Sequence, residues 1–119
     1  IWPVKGKLLS KYGKSKEGFY NDGINIDSKK GTKVMSSQAG KVIYCGNEIP
    51  GYGNLILIKH SKNWITAYAH LNEVFTEKGK NVSKGEIIGS VGNTGNVRSP
   101  QLHFEIRKGK ESVNPLKLL

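Results

Sequence analysis

Apolar and polar residues alternate with period two over Gln101-Leu102-His103-Phe104-Glu105-Ile106-Arg107. This predicts a strand with Leu102, Phe104 and Ile106 on a core face and Gln101, His103, Glu105 and Arg107 on the other. The same period over residues 21–27 sets Ile24 and Ile26 against Asn21, Asn25 and Asp27. Over residues 64–71 it groups Thr66, Tyr68 and His70 on one face and Ala67 and Ala69 on the other, so that His70 ends a polar row. Leu55-Ile56-Leu57-Ile58 is a near-continuous apolar run, the pattern of a central strand buried on both faces. Glycine-bounded runs at residues 31–36 and 40–46 predict two strands paired as a hairpin, and residues 86–92 a further strand. The first residues read as an edge strand broken by Pro3, and residues 14–20 as a polar loop. Only residues 72–85 leave room for a short helix or an extended loop. About eight short strands without an amphipathic helix predict an all-β fold, an antiparallel sheet or sandwich, in a single domain spanning residues 1–119.

Composition narrows the function classes. A chain of 119 residues suits one domain, and no apolar run approaches the roughly 20 residues that span a bilayer. It opens on Ile1 rather than methionine, so a longer precursor is expected, with membrane association only through an upstream anchor. The net charge of +10 predicts attraction to something acidic. Its lysines are scattered in turns (Lys29, Lys30, Lys78, Lys80, Lys84, Lys108, Lys110), with no aromatic platform and no recognition helix, so nucleic acid is not an expected partner. The single Cys45 has no internal disulfide partner and sits in an apolar run, as a buried thiol does.

The order of these pieces resembles the LytM or lysostaphin-like metallopeptidase domain of peptidase family M23, zinc enzymes that cut peptide cross-links in bacterial cell walls. The landmarks run in family order through Gly23-Ile24-Asn25-Ile26, Gly31-Thr32-Lys33-Val34, Ala39-Gly40-Lys41-Val42, Gly51-Tyr52-Gly53-Asn54, Tyr68-Ala69-His70-Leu71, Val82-Ser83-Lys84-Gly85, Gly92-Asn93-Thr94-Gly95 and Leu102-His103-Phe104-Glu105-Ile106-Arg107. They cover nearly the whole chain. In active members the resemblance places a zinc-binding histidine where this chain has Asn21, an aspartate where it has Asn25, and a histidine at His103. Two further histidines serve the bound water and the transition state, at the positions of Gln101 and His70. Two of three metal ligands and one of two catalytic histidines are thus replaced.

A catalytic zinc takes about three protein ligands and keeps one position for water. Carboxamides are weak neutral donors toward zinc, and without the metal a water keeps a pKa of about 16 instead of about 7. Gln101 does not titrate in a useful range and cannot stand in for a proton-handling histidine. A relocated site using Asp27, His60 or Glu105 is disfavoured, because Asp27 lies two residues, about 6 to 7 Å, beyond the expected ligand. His60 is expected to bond structurally, and Glu105 and Arg107 either pair with each other or bind directly.

Loss of ligands on a retained scaffold resembles the degenerate, NlpD-like and EnvC-like branch, whose members activate amidases instead of cutting peptidoglycan. The resemblance implies no catalytic residue and no zinc cofactor. It implies a former active-site groove formed by Asn21, Asn25, Tyr68, His70, Gln101, His103, Glu105 and Arg107. The partner it implies is a periplasmic N-acetylmuramoyl-L-alanine amidase in septal cell separation, with peptidoglycan as a further candidate, in the periplasm or cell envelope. A peptidoglycan-binding module without enzyme activation, and a zinc endopeptidase with substituted ligands, are the alternatives.

Overall fold

Period-two alternation places strands through most of the chain, and the computed structural model, which describes residues 1–119, contains twelve. They are β1 (Lys7–Ser10), β2 (Gly13–Lys14), β3 (Tyr20–Asn21), β4 (Ile24–Asp27), β5 (Lys33–Met35), β6 (Gly40–Gly46), β7 (Asn54–Lys59), β8 (Trp64–Val74), β9 (Asn81–Val82), β10 (Ile87–Val91), β11 (Gln101–Lys108) and β12 (Glu111–Val113). Helix is confined to two short 3-10 turns, Ser61–Asn63 and Pro115–Lys117. One antiparallel sheet runs β1-β4-β11-β8-β7-β6-β9, with β12 on β11 and β10 linking β8 to β5. Strands β2 and β3 form a separate hairpin beside it.

The main core lies on one face of this sheet. Ile24 and Ile26 of β4, Leu102 and Phe104 of β11, Tyr68 of β8 and Ile56 and Ile58 of β7 are all fully buried there. Phe104 sits opposite Ile24 on one side and Tyr68 on the other. Val4, Val34, Val42, Leu71, Val82, Ile88, Val91 and Ile106 complete this core. Each aliphatic side chain removed from water contributes about 1.5–3 kcal/mol, so the alternation of β4 and β11 is strongly enforced. On the opposite face Leu55, Ala67 and Ala69 make a smaller cluster with Tyr44, Tyr52 and Leu57. Strand β7 is therefore apolar on both faces, as its sequence requires.

The hairpin expectation changes, and of the two forms open to residues 72–85 the loop is found. Residues 31–36 and 40–46 do not pair with each other: β5 joins β10, and β6 joins β7 and β9. The link between them is tied into the interior instead of closing a turn, since Ser36 N–H donates to Glu86 O and Ser37 N–H to the Tyr68 hydroxyl. Residues 72–85 hold no helix, because β8 continues to Val74 and the chain then loops into β9.

Candidate functional site

The polar face of β11 becomes a site because of what flanks it. His103 lies opposite Asn25 of β4 and Ala69 of β8, and Glu105 lies opposite Ala67. The two alanines leave space above the sheet that larger residues would fill.

Hydrogen bonds link these side chains in a fixed direction. Gly23 N–H donates to Asn21 Oδ1 at 3.0 Å, which leaves Asn21 Nδ2 to donate to Asn25 Oδ1 at 3.0 Å. Asn25 Nδ2 then donates to Gln101 Oε1 at 2.8 Å, and Gln101 Nε2 to Ser99 O at 3.2 Å. Because a backbone N–H can only donate, each amide's orientation follows from the one before it. His103 meets an acceptor at both ring nitrogens: Asn25 Oδ1 lies 3.0 Å from Nδ1, and Glu105 Oε2 lies 2.7 Å from Nε2.

Glu105 is 2% exposed yet accepts three bonds, from His103, from the Tyr52 hydroxyl at 3.0 Å and from Arg107 Nε at 2.7 Å. Burial pushes its carboxyl up, but hydrogen bonds from His103 and Arg107, reinforced by their charges, outweigh this and hold it at about 2. Burial also opposes the charge on Arg107, but the bond to Glu105, together with the charges of Glu105 and Asp22, outweighs it, so the guanidinium is held above its usual range. Arg107 further donates to Lys110 O at 3.0 Å and lies 3.7 Å from Asp22. Of the two roles open for Glu105 and Arg107, pairing with each other is the one observed.

His70 reaches the same hollow by a break in alternation. Its φ of 65° lies in the left-handed region, and here β8 spends three residue steps, Tyr68 to Leu71, against two on β7. The extra residue turns His70 out of the core and over the groove, with its ring centroid 6.0 Å from that of His103. Its N–H donates to Tyr52 O at 2.9 Å, and Nδ1–H to Thr94 O at 2.8 Å, which leaves the Nε2 lone pair with no partner in the protein. Burial lowers its pKa; the bond to Thr94 opposes the shift and nearby His103 adds to it.

Tyr68 corrects the sequence reading. It was grouped with His70 by parity, but it is fully buried in the core, opposite Phe104, with its hydroxyl bonded to Ser37 N–H and Thr66 Oγ1. It does not line the groove.

Asn21, His70, His103 and Glu105 line a hollow of about 470 Å³ together with Tyr20, Asp22, Pro50, Gly51, Tyr52 and Asn96. Asn25, Gln101 and Arg107 join these residues through hydrogen bonds. Tyr52, Tyr20, Asp22 and Asn96 were not singled out from sequence; the one available signal for Tyr52 was its place between two glycines in a turn. That turn interlocks with the 92–97 loop. Gly53 and Gly95 both have positive φ, and a Cβ on either would lie within 2.6 Å of the other loop's backbone. Asn96 N–H donates to Gly51 O across this contact.

Other donors lie apart. His60 bonds Ala39 O at 2.7 Å and Thr66 Oγ1 at 2.8 Å, the expected structural role. Asp27 is exposed beside Lys7 and Gln101 in register. Cys45 is partly buried, and burial raises its thiol pKa. No group of three His, Cys, Asp or Glu converges on one point. One imidazole, already engaged at both nitrogens, and two carboxamides do not fit a catalytic zinc.

Comparison with known proteins places this geometry. The profile of Peptidase family M23 matches residues 19–115. Cell division protein DipM of Caulobacter vibrioides is 47% identical over 106 residues, covering 89% of this chain and 17% of that protein. Murein hydrolase activator NlpD of Escherichia coli is 42% identical over 118 residues, covering 99% of this chain and 30% of that protein. The chain thus spans less than a third of either relative. Among solved structures, a zinc-containing peptidase from Vibrio cholerae superposes with a TM-score of 0.88 at 29% identity, covering 95% of this chain and 37% of that one.

Proposed function

The chain belongs to peptidase family M23, as a LytM-like domain of the NlpD branch, and from that premise we propose that it is a non-catalytic activator of periplasmic N-acetylmuramoyl-L-alanine amidases. On this reading it promotes peptidoglycan hydrolysis during cell separation, and its former active-site groove is the surface that meets the amidase. The observation that carries the reading is the amide network itself. Asn21, Asn25 and Gln101 satisfy one another and His103, where zinc chemistry would need free imidazole and carboxylate donors. No water is activated by such a set, so no hydrolytic step is assigned to these residues and no zinc cofactor is expected.

What remains can recognise a partner. Tyr52 and Tyr20 offer aromatic surface, the type of side chain enriched in binding hot spots, and His70, which lines the hollow, offers an acceptor at Nε2. The names of the relatives, a murein hydrolase activator and a cell division protein, support a wall-directed role in the cell envelope. The test mixes the protein with purified cognate amidase and sacculi. Release of wall fragments should rise with the protein present, while the protein alone releases none, with or without chelator. Chelator-sensitive digestion by the protein alone, or an amidase indifferent to it, would reject the proposal.

A further inference from the structure

We propose that the groove is a guanidinium site, taking an arginine side chain that the amidase presents. This rests on the activator reading and names the chemistry by which the groove would recognise its partner.

The basis is an imbalance between donors and acceptors. The Tyr52 hydroxyl donates to Glu105, the Tyr20 hydroxyl to Tyr12 and Asn21 Nδ2 to Asn25, so these lining side chains have spent their donors inside the protein. Both ring nitrogens of His103 likewise face acceptors. Asn96 is the one lining side chain with unspent N–H groups. Acceptors, by contrast, remain. His70 lines the hollow and is 6% exposed, and with Nδ1–H given to Thr94 O its Nε2 lone pair has no partner. Burial favours the neutral ring, the form in which that nitrogen accepts.

Asp22 is the second acceptor. Its Oδ1 accepts from Ser112 Oγ at 3.2 Å, while Oδ2 lies 3.7 Å from Arg107 Nη2, too far for a direct hydrogen bond. Two lining carboxylates, Asp22 and Glu105, stand against the adjoining Arg107, and the lining itself holds no lysine or arginine. The hollow is therefore locally anionic in a chain of net charge +10. Exposed charges farther than about 8 Å are screened at physiological salt, so the groups of the hollow decide what enters it. A guanidinium supplies five donors and no acceptor, and its planar face stacks on rings such as those of Tyr20 and Tyr52. A carboxylate would set acceptor against acceptor at both His70 and Asp22.

Titration of isotope-labelled protein near neutral pH tests this, with N-acetylarginine methylamide and its citrulline, lysine and glutamate counterparts as probes. The arginine probe should move the His70 ring-nitrogen signal. It should bind at least about fivefold more tightly than citrulline, which keeps the shape and loses the charge. Asp22→Asn should remove that preference, and His70→Phe should weaken both probes. Asp27→Asn, at an exposed carboxylate outside the hollow, should bind as wild type. Should Asp22→Asn fail to fold, arginine against citrulline on the unaltered protein decides alone. Citrulline, lysine or glutamate binding as tightly as arginine, or a His70 signal that no probe moves, would overturn the proposal.

Amidase stimulation keeps the two readings apart. Saturating arginine probe should suppress stimulation by the protein without changing the amidase's own basal rate, and the glutamate probe should not. Stimulation that survives both the arginine probe and Asp22→Asn overturns the guanidinium site and leaves the activator reading in place. An amidase indifferent to the protein, with His70 still moved by arginine, rejects the activator reading and supports the site's chemistry.

Discussion

Asn25 and His103, neighbours across β4 and β11, meet through Oδ1 and Nδ1 at 3.0 Å, and the opposite ring nitrogen of His103 lies 2.7 Å from Glu105. The histidine is thereby held inside the protein's own hydrogen-bond network. That contact links the metal question, the acid stability of the fold and the shape of the groove.

If the amides are what keeps zinc out, restoring donors should admit it. Asn21→His with Asn25→Asp supplies an imidazole and a carboxylate beside His103. Metal analysis after dialysis should find close to one zinc per chain in the double variant and far less in the wild type. Affinity for zinc should rise by at least about tenfold. Stoichiometric zinc in the unaltered protein would contradict the reading.

Acid should loosen the site through Glu105. Its carboxyl is held at about 2 against an ordinary 4.5, so the folded state favours the charged form. The resulting stability is fully present above about pH 4.5 and is lost as the pH falls toward about 2. Glu105→Gln should therefore cost about 2–3 kcal/mol near neutrality, and its deficit against wild type should shrink across that window. Thermal unfolding of both proteins as a function of pH measures this; a deficit that stays constant down to pH 2 would refute it.

Tyr68 should matter for folding and not for recognition. Tyr68→Phe removes a hydroxyl that serves Ser37 N–H and Thr66, leaving buried polar groups short of a partner, and should destabilise by about 1–3 kcal/mol. Denaturant unfolding reads that loss. Amidase stimulation, measured where the variant is folded, should stay at the wild-type level.

His70→Phe keeps a ring over the groove but removes both the Nδ1–H bond to Thr94 and the free acceptor at Nε2. Stimulation of amidase should fall by about tenfold or more, the scale of one lost hot-spot contact. Tyr52→Phe removes one of the two donors at Glu105 Oε2 while keeping the ring, and its stimulation should fall less. Dose–response curves against the wild type would show the order, and equal activity of all three proteins would remove the groove from the contact.

The interlocked turns offer a test of architecture. Gly95→Ala places a Cβ within 2.5 Å of Gly53 N at a φ of 82°, a clash joined to a conformation that favours glycine. A loss of about 2–4 kcal/mol is expected in chemical denaturation, together with weaker amidase stimulation because Tyr52 shifts. Wild-type stability would show that the two loops yield independently.

Much of this was legible along the chain. Alternation over Gln101 to Arg107 and Asn21 to Asp27 assigned faces correctly, because burying Leu102, Phe104, Ile24 and Ile26 forces the polar partners outward. The apolar run of β7 announced burial on both faces. The structural role of His60 also followed from position and chemistry, while pairing was one of two roles left open for Glu105 and Arg107.

Other features depend on contacts between distant segments. Residues 31–36 and 40–46 looked like a hairpin, yet the partner of each strand is chosen by tertiary pairing, which nearness in sequence does not decide. Tyr52, Tyr20, Asp22 and Asn96 reach the groove from loops whose positions no period encodes.

By itself, then, the sequence determined an all-β domain with carboxamides, a histidine, a carboxylate and a guanidinium along polar strand faces, since side-chain alternation and side-chain chemistry are local properties. Only the tertiary structure decided that Tyr68 belongs to the core and His70 to the groove. Those two residues share parity, and the φ of 65° at His70, held by its bonds to Tyr52 and Thr94 from other loops, separates them.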